Sequence, residues 1–142
     1  MNIENKALIS AVLEAASQCT HHVEEEGGVI LERGDEYTFG RVKNIHAGTE
    51  TAIGLYETDL GELKSNVFNK LKEGWKMYAS FHTHPSFGPT PSNLDLTKLF
   101  TGFKNNVIFS PRLNVFSFNE WDDDEPVTYY LSESTLQTLL KK

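Results

Sequence analysis

Cysteine is almost absent from this chain: Cys19 stands alone among 142 residues. One thiol closes no internal disulfide, so a disulfide-stapled fold is excluded and a reducing compartment is expected. Basic residues are also few. Thirteen Lys and Arg face 20 Asp and Glu, a net charge of −7, which argues against a surface built to hold nucleic-acid phosphates. No apolar run is long enough to span a bilayer, and Met1-Asn2-Ile3-Glu4-Asn5-Lys6 is not a basic start leading into a long apolar core. These absences together lead us to expect a cytoplasmic protein with neither a membrane nor a nucleic-acid partner. Proline is sparse too, yet Pro85, Pro89 and Pro91 crowd into one short stretch.

What is present reads as a soluble globular chain, with 39% apolar and 23% charged residues. Its length suits one well-packed domain over residues 1–142, and no repeat, low-complexity segment or linker interrupts it. Ala7, Leu8, Ala11, Val12, Ala15 and Ala16 recur at helical spacing, so residues 4–18 are expected to form an amphipathic helix that ends near a buried, inert Cys19. Residues 28–43 read as a hairpin turning at Gly34-Asp35. Residues 45–53 are ambiguous, with a short strand expected at 51–53 and no role assigned to His46. A helix is expected from Thr58-Asp59 to Gly74, with Leu60, Leu63, Val67, Phe68 and Leu71 as its apolar face. Residues 75–82 form the next strand, with Tyr78, Ser80 and His82 expected on one face and Met77, Ala79 and Phe81 on the other, and Leu94 to Phe103 the next core helix. Strands at 107–109, 113–118 and 127–131 follow, with 121–126 as an exposed acidic turn and a closing helix capped at Ser132. The expected fold class is therefore α/β, a mixed β-sheet flanked by helices.

The informative stretch runs Ser80-Phe81-His82-Thr83-His84-Pro85, and continues through the prolines to Ser92-Asn93-Leu94-Asp95. Residues two apart on a strand share a face, so His82 and His84 can reach one metal ion together. The prolines force the chain out of the sheet into a loop. Asp95 then falls in the first turn of a helix, from which its carboxylate can swing back to the strand end. Two imidazoles and one carboxylate make the ligand set of an open zinc site, with one position left for water. Each half is ordinary alone: His-x-His occurs on surfaces by chance, and Ser-x-x-Asp resembles a helix capping box. Their meeting at one strand-to-helix junction is what gives the pattern weight. Upstream, Glu24-Glu25-Glu26-Gly27-Gly28 reads either as a solvated loop or as the source of a further carboxylate for the same site.

His82-Thr83-His84, seven intervening residues, and Ser92-Asn93-Leu94-Asp95 together resemble the JAMM motif of the MPN-domain metalloproteases. Glu25-Glu26-Gly27-Gly28-Val29-Ile30-Leu31 resembles the setting of that family's upstream glutamate. The resemblance implies an MPN-domain fold related in architecture to cytidine deaminases. It implies Zn²⁺ held by His82, His84 and Asp95, with Glu25 as the proton-transferring base and Ser92 as a donor to the oxyanion. It further implies a zinc metallopeptidase cutting peptide or isopeptide bonds, here at the C-terminus of a ubiquitin-like or sulfur-carrier protein. Strand alternation also favours Glu25 over its neighbours, because Glu25, Gly27 and Val29 share a face. Thr83 points away from the histidines and is expected to pack or to support. Three rivals remain: a scaffold of this type with weak activity, a plain binding domain, and a zinc deaminase. The last requires a Pro-Cys-x-x-Cys ligand pair that a single cysteine cannot supply.

Overall fold

The computed structural model describes residues 1–96, 102–122 and 125–142, apart from the side chains of residues 60–62 and 64–66. Ten elements follow one another: α1 (Lys6–Gln18), β1 (Gly27–Arg33), β2 (Glu36–Val42), α2 (Thr51–Gly54), α3 (Leu60–Lys72), β3 (Lys76–Thr83), β4 (Asn105–Ser110), β5 (Val115–Asp122), β6 (Glu125–Ser132) and α4 (Glu133–Leu140). The strands form one six-stranded mixed sheet in the order β2-β1-β3-β4-β5-β6. Only the β3–β4 pair among them is parallel. The α/β expectation of a mixed sheet with flanking helices therefore holds.

Each sheet face is covered because each carries apolar side chains that must leave water. On one face Ile30, Phe39, Ala79, Phe81, Val107, Phe109, Phe116 and Phe118 pack against Leu8, Ile9, Ala11, Val12 and Ala15 of α1 and Leu136 of α4. On the other, Val29, Leu31 and Val42 pack against Val67 of α3 and Trp75. Both flanking helices on the first face have side-chain caps, which satisfy backbone N–H groups that a helix start leaves open. Asn5 accepts from the Leu8 N–H, and Ser132 from the Thr135 N–H.

Four sequence expectations are corrected. Residues 51–53 lie in the short helix α2, with Ala52 buried, and not in a strand. Trp121 and Glu125 are not turn residues: Trp121 pairs with Pro126 and Asp122 with Glu125, so the hairpin ladder runs almost to its tip. Phe68 and Leu71 of α3 are 50% and 38% exposed, so the helical stripe is wider than the part buried. Tyr78 does not share a face with Ser80 and His82. The β1–β3 register jumps from Ile30↔Ala79 to Leu31↔Met77, a bulge that inserts one residue and turns Tyr78 toward the α1 side, edge-on to Tyr37. Of the expected helix at 94–103, residues 94–96 are helical and 102–103 are not, while 97–101 lie outside the described residues.

Parallel pairing brings the carboxyl ends of β3 and β4 to one edge of the sheet, and β1 begins at that same edge. Gly27 faces His82 across the β1–β3 ladder, and β4 sets Ile108 beside His82. The approach at Gly27 is very close: a Cβ there would overlap the Phe81 carbonyl oxygen and press to 3.0 Å from the His82 Cα. Gly28 is likewise closed against the Gly40 carbonyl. Gly27→Ala is accordingly expected to destabilise the fold by about 2 kcal/mol or more. Urea unfolding would report it as a lower midpoint at unchanged slope, whereas an unchanged midpoint would show that the two strands can part without cost.

Candidate metal centre

Four side chains meet at this edge: Glu25, His82, His84 and Asp95 are all buried, with one ligand-capable atom from each lying within 4.8 Å of the others. His82 and His84 come from the end of β3, Asp95 from the helical turn after the proline loop, and Glu25 from the extended run into β1. The two imidazole Nε2 atoms are 3.1 Å apart. The Asp95 carboxylate straddles them, Oδ1 at 3.0 Å from His82 Nε2 and Oδ2 at 3.1 Å from His84 Nε2. Glu25 Oε1 stands further back, 3.8 Å from His82 Nε2.

The loop between His84 and Asp95 is held at several points. The Phe109 carbonyl accepts the His84 N–H at 2.9 Å. Ser110 Oγ donates to the Phe87 carbonyl at 2.9 Å, and Ser117 Oγ to the Pro89 carbonyl at 2.6 Å. At its far end the Ser92 N–H donates to Asp95 Oδ2 at 2.9 Å, and the Asp95 N–H to Ser92 Oγ at 3.1 Å. Ser92 is thus a reciprocal cap that also orients the Asp95 carboxylate.

The protonation pattern fits a cation. His84 Nδ1 lies 2.9 Å from the Gly88 carbonyl, an acceptor, so Nδ1 carries the hydrogen and a neutral ring turns its Nε2 lone pair inward. That lone pair faces a carboxylate oxygen, a contact that only a proton or a cation makes favourable. The spacing agrees as well. Atoms at two vertices of a tetrahedron with ligand bonds of 2.0–2.1 Å lie about 3.3 Å apart, close to the 3.1 Å between the two imidazole Nε2 atoms. Both Glu25 oxygens are buried without a hydrogen-bond partner among the described residues, as is His82 Nδ1. An unpartnered buried carboxylate is costly and calls for a water, a proton or a positive charge beside it.

The three adjacent glutamates have different surroundings. Glu24 accepts the Gly48 N–H, with its oxygens at 3.0 and 3.1 Å. Glu26 accepts the His21 N–H and pairs with Arg41. Glu25 alone of the three joins the histidines. Thr83 lies on the opposite face, and its Oγ1 accepts the Glu26 N–H at 3.1 Å. His46 lies apart, 3.4 Å from Glu57, and Cys19 is buried, its thiol pushed up to about 11 chiefly by that burial. Sequence reasoning missed Tyr56, whose ring stacks on His82 at 6.0 Å, and Asn44, which binds the Glu25 carbonyl. Neither carries a local signal, since both sit in irregular chain. A cavity of about 350 Å³ adjoins the centre and is lined by Glu25, Glu26, Arg41, Lys43 and Asn44 among others.

Residues 6–124 match the family described as prokaryotic homologs of the JAB domain. No curated protein matches the chain. Among solved structures the chain is similar to the solution structure of protein DSY2949 from Desulfitobacterium hafniense, with a TM-score of 0.57 and 21% identity over 91% of this chain and 87% of that one. At that identity the likeness speaks for the fold alone.

Burial pushes the Glu25 carboxyl up to about 9, and the nearby Asp95 charge adds to the effect. Burial likewise holds His82 below its ordinary value, against the pull of Asp95. For Asp95 burial acts upward. With a proton in place of a cation between the imidazoles and the carboxylate, the charge on His82, hydrogen bonds from the two histidines and the Ser92 N–H together outweigh it and hold the carboxyl well below the usual range. A raised carboxyl favours the protonated fold: its contribution is whole below the unfolded value near 4.5 and is lost as pH climbs through about 9. Glu25→Gln stays neutral throughout. In the presence of a chelator, that variant should gain on the parent as pH rises, by on the order of 3 kcal/mol at pH 7. Urea unfolding of the pair across pH measures the gap, and a gap that does not change with pH would contradict the burial argument.

Proposed function

The chain belongs to the prokaryotic homologs of the JAB domain, and from that premise we propose that it is a zinc-dependent peptidase acting on a peptide or isopeptide bond. The observation that carries the reading is the buried cluster itself, two imidazoles and a carboxylate converging beside a second carboxylate that has no partner among the described residues. His82, His84 and Asp95 would hold the metal. When bound in such a set, zinc lowers the pKa of water from about 15.7 to about 7 and polarises a carbonyl.

The protein's own groups do the rest. Glu25, its Oε1 3.8 Å from His82 Nε2, would take a proton from water and return it to the departing amine, which leaves poorly unprotonated. Its unpartnered oxygens leave it able to do both. Burial drives its pKa up, and a cation beside it would drive it down, so the two influences hold it between extremes. Ser92 Oγ accepts the Asp95 N–H, and its own hydrogen can turn toward a substrate carbonyl as negative charge develops there. The substrate we favour is the flexible C-terminal tail of a ubiquitin-like or sulfur-carrier protein, bound by residues 1–142 acting as one domain in the cytoplasm.

Three measurements test this reading. Purified protein should carry zinc at about one per chain, and Asp95→Ala should lose it. Glu25→Gln should keep the zinc while hydrolysis falls by about 10²–10⁴, and Ser92→Ala should lose about 10²–10³. Mass spectrometry of a ubiquitin-like fusion incubated with the protein, with and without chelator, reads cleavage directly. Zinc without cleavage would turn the reading toward a scaffold or binding module of the same family. No zinc at all would remove the hydrolase.

A further inference from the structure

Nothing among the described residues holds the Glu25 carboxylate by a hydrogen bond, so its aim must come from its main chain. That main chain is tied on both sides. The Glu25 N–H donates to the Ala52 carbonyl at 2.7 Å. The Glu25 carbonyl accepts from Asn44 Nδ2 at 3.0 Å. The next residue is clamped to β3, where the Glu26 carbonyl accepts the Thr83 N–H at 2.8 Å.

Asn44 is itself buried, 4% exposed, and its carboxamide is saturated. Nδ2 donates to the carbonyls of Glu25 and Leu55, at 3.0 and 2.8 Å. Oδ1 accepts the N–H groups of His46 and Glu57, at 3.0 and 3.3 Å. Two donations and two acceptances are all that a carboxamide offers in this setting, and the flipped amide would set its NH₂ against two N–H groups. One side chain thus joins the run into β1, its own turn, and the chain leading to α3.

We propose that Asn44 is a positioning residue for Glu25. Its four hydrogen bonds all go to main-chain groups and none to His82, His84 or Asp95. It fixes the backbone from which the buried carboxylate is aimed, and the inference rests on the reading of Glu25 as the proton-transferring group. Asn44→Asp is the sharp variant. It keeps the shape and both acceptances, removes both donations, and sets a carboxylate oxygen against the carbonyls of Glu25 and Leu55. Asn44→Ala removes all four bonds.

The test uses the full-length zinc-loaded protein. Amide exchange followed by NMR should show Glu25 and Glu26 opening about tenfold faster or more in Asn44→Asp, with the amides of Phe81 and Ile108 unchanged. Zinc content should stay at the parent's value, because the three ligands are anchored elsewhere. On the ubiquitin-like fusion, kcat should fall by about 10²-fold with KM little changed, the mark of a displaced reacting group. Unchanged exchange at Glu25 overturns the proposal. So does loss of zinc together with core protection, or failure of both variants to fold, since Asn44 would then serve the fold in general. If the parent itself cleaves nothing, the peptidase reading has failed, and the exchange result still decides whether Asn44 holds Glu25.

Discussion

The contact between β1 and β3 at Gly27 and His82 is the constraint on which the rest depends. Gly27 has no side chain, so the Phe81 carbonyl and the His82 backbone can close on it. That closeness lets the strand pairing continue past the end of β1, where the Glu26 carbonyl still accepts the Thr83 N–H. Glu25, one residue further back, is thereby carried alongside His82. Parallel pairing of β3 with β4 then fixes the other side, through the bond from the His84 N–H to the Phe109 carbonyl. The loop that returns from His84 to β4 must start at the same edge, and it delivers Asp95 there.

The site so formed works against the stability of the fold. A carboxylate buried without a partner, and a lone pair facing a second carboxylate, are both unfavourable in a dry interior. The surrounding structure tolerates them because it is over-determined. Ser110 and Ser117 hold the proline loop, Ser92 caps the turn that carries Asp95, and Asn44 with Ala52 pins Glu25. Polar groups at these supporting positions are satisfied, while those in the centre are left open. A family of JAB-type domains that binds a cation at this edge would have this division of labour for a physical reason: the cation supplies what the protein withholds.

Much of this was legible in the residues. The spacing of His82 and His84, the prolines, and the Ser-x-x-Asp turn are local patterns, and the elements around them follow from apolar periodicity. What escaped was non-local. The bulge that turns Tyr78 to the α1 side exists only because β1 and β3 are paired, and nothing near Tyr78 announces it. Phe68 satisfies helical spacing on α3 but lies beyond the strip that the sheet covers. The helix at Thr51–Gly54 is too short to show a period. Asn44 looks like any loop asparagine until the four groups around it are in place.

The sequence by itself determined which chemistry is possible: a donor set of two imidazoles and a carboxylate, a single thiol where a cysteine-rich zinc site needs several, and a sheet flanked by helices. It did so because these depend on residue type and on spacings of a few residues. Tertiary structure alone decided which of three neighbouring glutamates enters the cluster. Glu24 is drawn to the Gly48 N–H, Glu26 to Arg41 and the His21 N–H, and Glu25 to the histidines. Adjacent residues of one kind differ only in the direction they point, and that direction is set by strands distant in the chain.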